Sequence, residues 1–232
     1  MLIHQILFLK PSAQYPTEKI SENKNQFETF FPHGEYHLWT LDSFQEFLKE
    51  NFPKNLQQSF QKLIPYAFKA DFARYALLFI YGGWYFDFTI KLNKTYSPDH
   101  KLVLFKDITS NSPGKNAIQN SVIYSRETFH KLFETCLDSI ERNIQNGFYG
   151  KNPLYPTGPV LFGENVERFT ENYEIDFGQL KINTDTNTPE IQYIIQKDIH
   201  FASHKTLHGG ELDIEGSNNY NVLWNSRNIY QV

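Results

Sequence analysis

The order of apolar segments along the chain predicts an α/β fold with a mainly parallel central sheet flanked by helices. Short apolar runs typical of strands recur near residues 2–9, 35–39, 84–91, 101–105 and 120–124. Segments with helical periodicity alternate with them, near residues 17–30, 42–50, 54–62, 66–80 and 127–146. Such alternation favours parallel strands joined by helical crossovers, and ligands then bind beyond the carboxyl ends of the strands.

Length and composition predict one domain over residues 1–232. The chain has 232 residues, of which 40% are apolar and 16% aromatic, which is enough for one well-packed core. No internal repeat is visible in the sequence. The most linker-like stretches, residues 109–116 and 183–189, are too short to separate domains and are predicted to be surface loops.

Charge and cysteine content limit the function classes. The formal net charge is −4 and the basic residues are scattered, which argues against nucleic acid as a partner. The single cysteine, Cys136, excludes an internal disulfide, fits a reducing compartment and is predicted to be a small buried side chain on a helix. Residues 1–9 are too short for a membrane span and lack the features of a signal peptide, so they are predicted to form a buried first strand.

The segment that begins at Pro65 predicts a helix with one buried face. Its apolar residues recur at intervals of three and four, at Phe68, Phe72, Tyr75, Ala76 and Phe79. Asp71 and Arg74 lie three apart, so their side chains are neighbours that can pair with each other or point together at a polar ligand. An ordinary helix ion pair is the alternative interpretation.

Two glycines and an aromatic strand follow this helix. Gly82 and Gly83 predict its end, because glycine adopts left-handed backbone angles without steric cost. Residues 84–90 are aromatic or β-branched apart from Asp87, which therefore lies in the middle of a predicted strand. A buried carboxylate there requires compensation, either by a cation or by a set of hydrogen-bond donors. Capping of a neighbouring loop is the other possibility for Asp87.

From Ala70 to Asp87 the chain resembles the family 32 glycosyltransferases, whose DXD-containing pattern reads A-D-x-x-R-Y-x-x-L-x-x-x-G-G-x-Y-x-D-x-D. The departure is Thr89, which stands where the family has its second aspartate. Weaker resemblances follow in the family's order, at residues 3–6, 36–40, 120–125, 155–160 and 219–230. Leu7 replaces the tryptophan that follows the opening I-H-Q-I. The family includes small bacterial capsule and lipopolysaccharide enzymes and Golgi initiating mannosyltransferases, with large glucosylating toxins as distant relatives.

The resemblance implies a GT-A fold and an enzyme that moves a sugar from a UDP- or GDP-sugar to a hydroxyl of a glycan or lipid-linked acceptor. It further implies retention of anomeric configuration and a place in surface polysaccharide or glycoconjugate synthesis. Golgi members carry a membrane anchor, and none is visible here. The expected location is therefore cytoplasmic, with peripheral association at the inner face of a bacterial membrane as an option. The alternative is a degenerate GT-A protein that binds carbohydrate or a partner with little transfer activity.

The resemblance also implies site residues. Asp71 and Arg74 would hold the donor sugar, with Asp87 as the third catalytic residue. The nucleotide base of the donor would lie near Ile3 and Leu7, with Phe8 or Tyr36 as a stacking partner. The implied donor-binding residues are Ile3, His4, Leu7, Ala70, Asp71, Arg74, Tyr75, Gly83, Phe86, Asp87 and Lys205.

Manganese or magnesium is the implied cofactor, with Asp87 as a ligand. The hydroxyl of Thr89 is a poorer ligand than a carboxylate, which leaves three outcomes: a weak site completed elsewhere, a metal-independent enzyme, or a degenerate one. Completion could come from His200 or His204, in a tail that is either a helix or a loop. His204 with Lys205, the lysine facing phosphate, is the preferred pair. Asp107 and Glu164 are candidates for orienting an acceptor, although their spacing does not single them out.

Overall fold

The computed structural model describes residues 1–108, 117–169, 174–183, 190–196, 198–204 and 217–231. The strands are β1 (Leu2–Ile6), β2 (Glu35–Trp39), β3 (Gly83–Phe86), β4 (Ile90–Leu92), β5 (Leu102–Lys106), β6 (Ile118–Ser125), β7 (Ile175–Asn183), β8 (Glu190–Ile195) and β9 (Ile199–His204). The helices are α1 (Thr17–Phe30), α2 (Leu41–Asn51), α3 (Lys54–Lys62), α4 (Tyr66–Tyr81), α5 (Lys131–Gln145), α6 (Pro159–Glu167) and α7 (Tyr220–Asn225).

The α/β class is confirmed, but the sheet is mixed rather than mainly parallel. Nine strands of the described residues form one sheet in the order β2-β1-β3-β6-β5-β7-β8-β9-β4. Parallel pairing joins β1 to β2 and β3, and β5 to β7. The other neighbours are antiparallel. The prediction failed because the last strands follow one another by short connections, which suit antiparallel pairs and need no crossover helix.

The sheet curls back on itself. Three residues separate β3 from β4, yet β4 pairs with β9 at the far end of the strand order. The space inside the curl is filled by buried aromatic side chains, among them Trp84, Phe86 and Phe201. The strand predicted over residues 84–91 is therefore two strands, and Asp87 lies at the carboxyl end of β3 rather than within a strand. The turn of residues 87–89 connects β3, the third strand in this order, to β4, the last.

Helix α4 packs in a second core on the outer face of the sheet. Phe68, Phe72 and Tyr75 are almost fully buried in it, as the periodicity predicted. Cys136 is fully buried on α5, which confirms that prediction. Gly82 ends α4 as predicted, but its φ of +61° and ψ of −151° form a glycine-specific conformation rather than the left-handed helical cap that the sequence suggested. No helix among the described residues is long and apolar enough to cross a bilayer.

Several elements of the carboxyl-terminal third were not predicted. α6 begins at Pro159, and β7, β8 and β9 form an antiparallel run. The tail with His200 and His204 is thus a strand rather than a helix or loop up to residue 204. α7 lies within the segment 219–230 that resembles the family, and its aromatic side chains are half-buried against the core. The predicted loop at 109–116, and that at 183–189 beyond Asn183, lie outside the described residues.

Candidate active site

The turn after β3 is held by three side-chain amides. Gln5 Nε2 donates to the carbonyl of Asp87 at 3.1 Å, Asn23 Nδ2 donates to that of Phe88 at 2.9 Å, and Gln26 Nε2 donates to that of Ile90 at 3.0 Å. Gln5 and Asn23 are buried, so these bonds are shielded from water. This support was not predicted from the sequence. Its available signals were the glutamine of the opening motif and the spacing of three between the two amides of α1.

Arg74 joins the two acids of the motif. Its Nη2 lies 3.1 Å from Asp71 Oδ1 and its Nη1 lies 3.1 Å from Asp87 Oδ1. Nε donates to the carbonyl of Ala70 at 3.3 Å, Nη1 also donates to the carbonyl of Asn120, and the guanidinium lies 4.7 Å from the centre of the Tyr85 ring. The cation that compensates the charge of Asp87 is therefore the guanidinium of Arg74.

The charge state of Arg74 follows from these contacts. Burial alone would lower the pKa of Arg74, but the Asp87 and Asp71 carboxylates and the Tyr85 hydroxyl outweigh burial, and the pKa is raised. The arginine is a permanent cation with every nitrogen engaged. Asp87 Oδ1 accepts a second bond from the Tyr85 hydroxyl at 2.5 Å.

Asp71 is bound by groups from three parts of the chain. Thr157 Oγ1 donates to Oδ2 at 2.7 Å, and Asn120 Nδ2 donates to Oδ1 at 2.9 Å, beside the bond from Arg74. Burial raises the pKa of Asp71, while Arg74, Thr157 and Asn120 oppose that rise. Asn120 and Thr157 lie in segments that carried the family resemblance, but sequence reasoning gave neither a role at the site.

These acids line a cavity of about 260 Å³. Its polar wall consists of Asp71, Arg74, Asp87, Asp107, Gln119 and Asn120. The lining also includes Leu154, Gly158, Pro159 and Tyr220. Among the described residues of this wall, three carry carboxylates and Arg74 carries a guanidinium, groups that can bind hydroxyl groups and a cation. The structure thus brings together the three predicted catalytic residues.

The other predicted donor-binding residues are mostly internal. Ile3, His4, Tyr75 and Phe86 are buried among protein groups, and their side chains support the backbone of the site. Their part in donor binding stays a prediction. Gly83 has a φ of +86°, and a Cβ at this position would lie 2.4 Å from the carbonyl oxygen of Leu2 on β1. The close approach of the two backbones explains why this residue is glycine.

His4 illustrates this supporting role. Its Nδ1 accepts from Trp39 Nε1 at 3.2 Å, so its Nε2 carries the proton and donates to the carbonyl of Gly82 at 3.1 Å. Burial lowers the pKa of His4 from 6.5 to about 4, and the ring is neutral near pH 7. The motif histidine thus ties the end of α4 to the sheet.

The residues predicted to lie near the nucleotide base have different surroundings. Phe8 is buried against Phe44 and Phe60 and presents no free stacking face. Tyr36 is half-buried, donates to Gln5 and stacks on Phe27 with one face of its ring. Leu7, just beyond the carboxyl end of β1, packs in a small cluster with Phe88 beside the site turn. Ala70 contributes its carbonyl to Arg74. Lys205 lies outside the described residues.

The predicted metal ligands are not gathered into one cluster. Thr89 Oγ1 lies 2.9 Å from His204 Nε2, and His200 Nε2 lies 2.9 Å from Asn93 Nδ2 and 2.8 Å from Ser203 Oγ. Among the described residues no group of three or more histidine, cysteine or acidic side chains could hold a metal ion. The set of Asp87, His200 and His204 is therefore not assembled, because His200 is turned toward β4 and its own strand.

Asp87 can still bind a divalent ion whose other ligands are phosphate oxygens and water. The Asp87 side chain is 31% exposed, and no described residue bonds its Oδ2. Magnesium and manganese need only one or two protein carboxylates when phosphate oxygens and water complete the coordination shell. The donor set of this chain suits that mode and not an all-protein site.

Comparison with known proteins assigns the class. Residues 17–112 match the family described as the glycosyltransferase sugar-binding region containing the DXD motif, and the chain belongs to this DXD-containing glycosyltransferase family. The resemblance predicted from Ala70 to Asp87 is thereby confirmed.

Two relatives and one solved structure are similar to this chain. It is 32% identical over 182 residues to an uncharacterized glycosyltransferase of Acanthamoeba polyphaga mimivirus, covering 74% of this chain and 66% of that protein. It is 40% identical over 68 residues to inositol phosphoceramide mannosyltransferase 3 of Schizosaccharomyces pombe, covering 29% of this chain and 18% of that enzyme. The PaToxG glycosyltransferase structure aligns with a TM-score of 0.57 at 18% identity, over 73% of this chain and 68% of that chain. This likeness shows the fold alone, and it confirms the expected GT-A-like architecture.

Proposed function

We propose that residues 1–232 act as a single glycosyltransferase domain that moves a sugar from a UDP- or GDP-sugar to a hydroxyl of a glycan or lipid-linked acceptor. The observation that carries the proposal is the arginine-bridged pair of acids on the cavity wall, Asp71 and Asp87. Family membership supports it.

Each of these residues has a distinct part. Asp71 keeps one acceptor position beyond its bonds to Thr157, Asn120 and Arg74, and that position suits a sugar hydroxyl. Arg74 bonds both carboxylates and so fixes them relative to one another, and Nη2 keeps one N–H beyond its bond to Asp71 for a sugar or phosphate oxygen. A divalent ion held by Asp87 would neutralise the charge that develops on the departing diphosphate.

Transfer with retention is the stereochemistry we infer. Asp71 and Asp87 are bonded to one guanidinium, which reduces the nucleophilicity of both and argues against a covalent sugar intermediate of the retaining-hydrolase kind. The departing phosphate can then accept the proton of the incoming hydroxyl on the same face of the sugar. We further propose a role in surface polysaccharide or glycoconjugate synthesis. A reducing compartment such as the bacterial cytoplasm is consistent with the buried free thiol of Cys136.

The test is a donor screen with and without manganese. UDP- and GDP-sugars are incubated with the purified chain, and released nucleotide and free or transferred sugar are measured. Asp87→Asn should abolish turnover, whereas Asp138→Asn, the same change at an exposed position on α5, should leave it unchanged. The proposal fails if no donor is bound or cleaved and the two variants behave alike.

A second candidate is a degenerate family member that binds carbohydrate or a partner. It is favoured by Thr89, whose hydroxyl is engaged by His204 rather than directed at an ion. Thr89→Asp separates the two candidates. A large gain in manganese affinity and turnover would support degeneration, while a loss of existing turnover would show that the threonine belongs to a working site.

A further inference from the structure

A second cavity of about 260 Å³ lies between α5 and α6. Helix α5 contributes Ser139, Arg142 and Asn143 to its lining, and α6 contributes Asn165, with Arg168 directly after the end of that helix. The described residues that line this cavity are all different from those that line the active-site cavity. The cavity is therefore a separate feature of the molecule, and the proposed transfer gives it no part.

The two arginines of this cavity are held by a pair of buried neutral side chains. Ser139 is 8% exposed and Asn165 is 2% exposed, and Ser139 Oγ donates to Asn165 Oδ1 at 3.2 Å. Arg142 Nη2 donates to Ser139 Oγ at 3.0 Å, and Arg168 Nη1 donates to Asn165 Oδ1 at 3.4 Å. Each guanidinium is thus one hydrogen bond away from two atoms that are bonded to each other, so both cations border the same part of the cavity.

These two cations lack a carboxylate partner. Among the described residues, neither Arg142 nor Arg168 forms an ion pair. Glu164 is the one acid among the described lining residues, and Asp138, one turn before Arg142 on α5, is exposed and forms no ion pair with it. Each guanidinium donates to one side-chain oxygen of the described residues and keeps most of its five N–H donors for other acceptors. An anion bound between the arginines would offset their mutual repulsion.

We propose that this cavity binds a phosphate group. A guanidinium presents its donors in a planar fork that matches the oxygens of carboxylates and phosphates. One such fork satisfies a planar carboxylate, whereas a tetrahedral phosphate has oxygens on several sides and accepts from Arg142 and Arg168 together. The exposed side-chain amide of Asn146, which also lines the cavity, supplies a further donor.

One segment of the chain borders both cavities. Leu154 and Gly158 line the active-site cavity, whereas Tyr155 lines the second cavity. Asn143 of the second cavity donates to the carbonyl of Pro156 in the same segment at 2.8 Å. A phosphate bound in the second cavity is therefore a neighbour of the active site. Two sources carry this chemistry, a lipid-linked substrate and a free phosphorylated metabolite.

Isothermal titration calorimetry with inorganic phosphate tests the site in the full chain. EDTA is present and the donor is omitted, so metal-dependent binding at Asp87 does not contribute. Arg142→Gln and Arg168→Gln should each weaken phosphate binding roughly 5- to 10-fold, because each removes a charge-assisted hydrogen bond, and the double variant should show no measurable binding. Lys49→Gln removes the same charge from an exposed position on α2 and should bind phosphate like the wild type.

Two phosphate esters distinguish the sources in the same assay. Glycerol 3-phosphate carries the phosphate without a lipid, and dihexanoylphosphatidic acid carries it on a short-chain lipid. Tighter binding of the lipid ester would identify a lipid-linked substrate, whereas equal binding of the two esters would identify a free phosphorylated metabolite. Both ligands should lose affinity in the double variant.

Three results would overturn the inference: no phosphate binding by the wild type, wild-type affinity in the double variant, or tighter binding of glucuronate than of phosphate, which would assign the cavity to a carboxylate. The Tm of each variant without phosphate should stay at the wild-type value, which separates loss of binding from loss of the fold. The proposed transfer is judged independently by the donor screen, because this phosphate binding requires neither donor nor metal.

Discussion

Replacing Arg74 by methionine tests the electrostatic account of the site most directly. Arg74→Met keeps the length and the apolar stem of the side chain but removes the charge that bridges Asp71 and Asp87. The Asp71 side chain is 12% exposed and the Asp87 side chain is 31% exposed. Asp71 is therefore left nearly buried without a cation, while Asp87 regains part of its hydration.

The expected loss follows from this difference in burial. Removing one partner of a buried ion pair costs about 3 to 5 kcal/mol, because the remaining charge is uncompensated. Thr157 and Asn120 still donate to Asp71, and Asp87 is partly hydrated, so we expect a value near the lower end of that range. The pKa of Asp71 should rise further in the variant, so the folded state takes up a proton before the unfolded state. The difference in free energy of unfolding between the wild type and Arg74→Met should therefore shrink as the pH falls through the raised pKa of Asp71.

Chemical denaturation monitored by circular dichroism gives the free energy of unfolding for each variant. Arg74→Met combined with Asp71→Asn should be more stable than Arg74→Met alone, because no buried carboxylate then lacks a cation. Arg142→Met, at an exposed position on α5, should change stability by less than about 0.5 kcal/mol. A cost below 1 kcal/mol for Arg74→Met, or no recovery in the double variant, would refute the reasoning.

Three further predictions concern the supports of the site, and each is checked by the free energy of unfolding. Gly147 has a φ of +57° and open space around it, so Gly147→Ala should cost roughly 1 kcal/mol. Gly83→Ala should cost more than twice as much, because the added Cβ meets a β1 carbonyl. Equal costs would exclude the steric explanation. Between pH 7 and pH 4 the free energy of unfolding should fall by about 3 kcal/mol more in the wild type than in His4→Gln, because the pKa of His4 is near 6.5 in the unfolded chain and about 4 in the folded chain. Parallel pH profiles for the two proteins would contradict this. Thr157→Val should cost about 1 to 3 kcal/mol because Asp71 loses a donor at 2.7 Å, and an unchanged stability would show that this bond contributes nothing.

The local part of the site could be predicted from the sequence because its determinants are close together in the chain. The periodicity of α4, the glycine cap and the pairing of Asp71 with Arg74 all depend on residues within one or two helical turns. Strand β3 follows the cap directly. Local spacing therefore predicted the helix, the glycine cap, the strand that follows, and the need for compensation at Asp87.

The distant part could not be predicted because it depends on strand pairing. The contact of Thr89 with His204 joins residues 115 positions apart, and it exists only because β4 pairs with β9. The bond of Thr157 to Asp71 likewise depends on where α6 begins relative to α4. Nothing in local periodicity states which strands become neighbours, which is also why the mixed sheet and its curl were missed.

The turn of residues 87–89 has a consequence for how this chain can vary. Strand pairing fixes β3 on one side of the turn and β4 on the other, and the side-chain amides bind its carbonyls. An inserted or deleted residue here would shift the register of every strand that closes the curl. Change at this point is therefore restricted to side-chain replacement at constant length. The threonine at position 89, which stands where the family motif has aspartate, is a change of this kind.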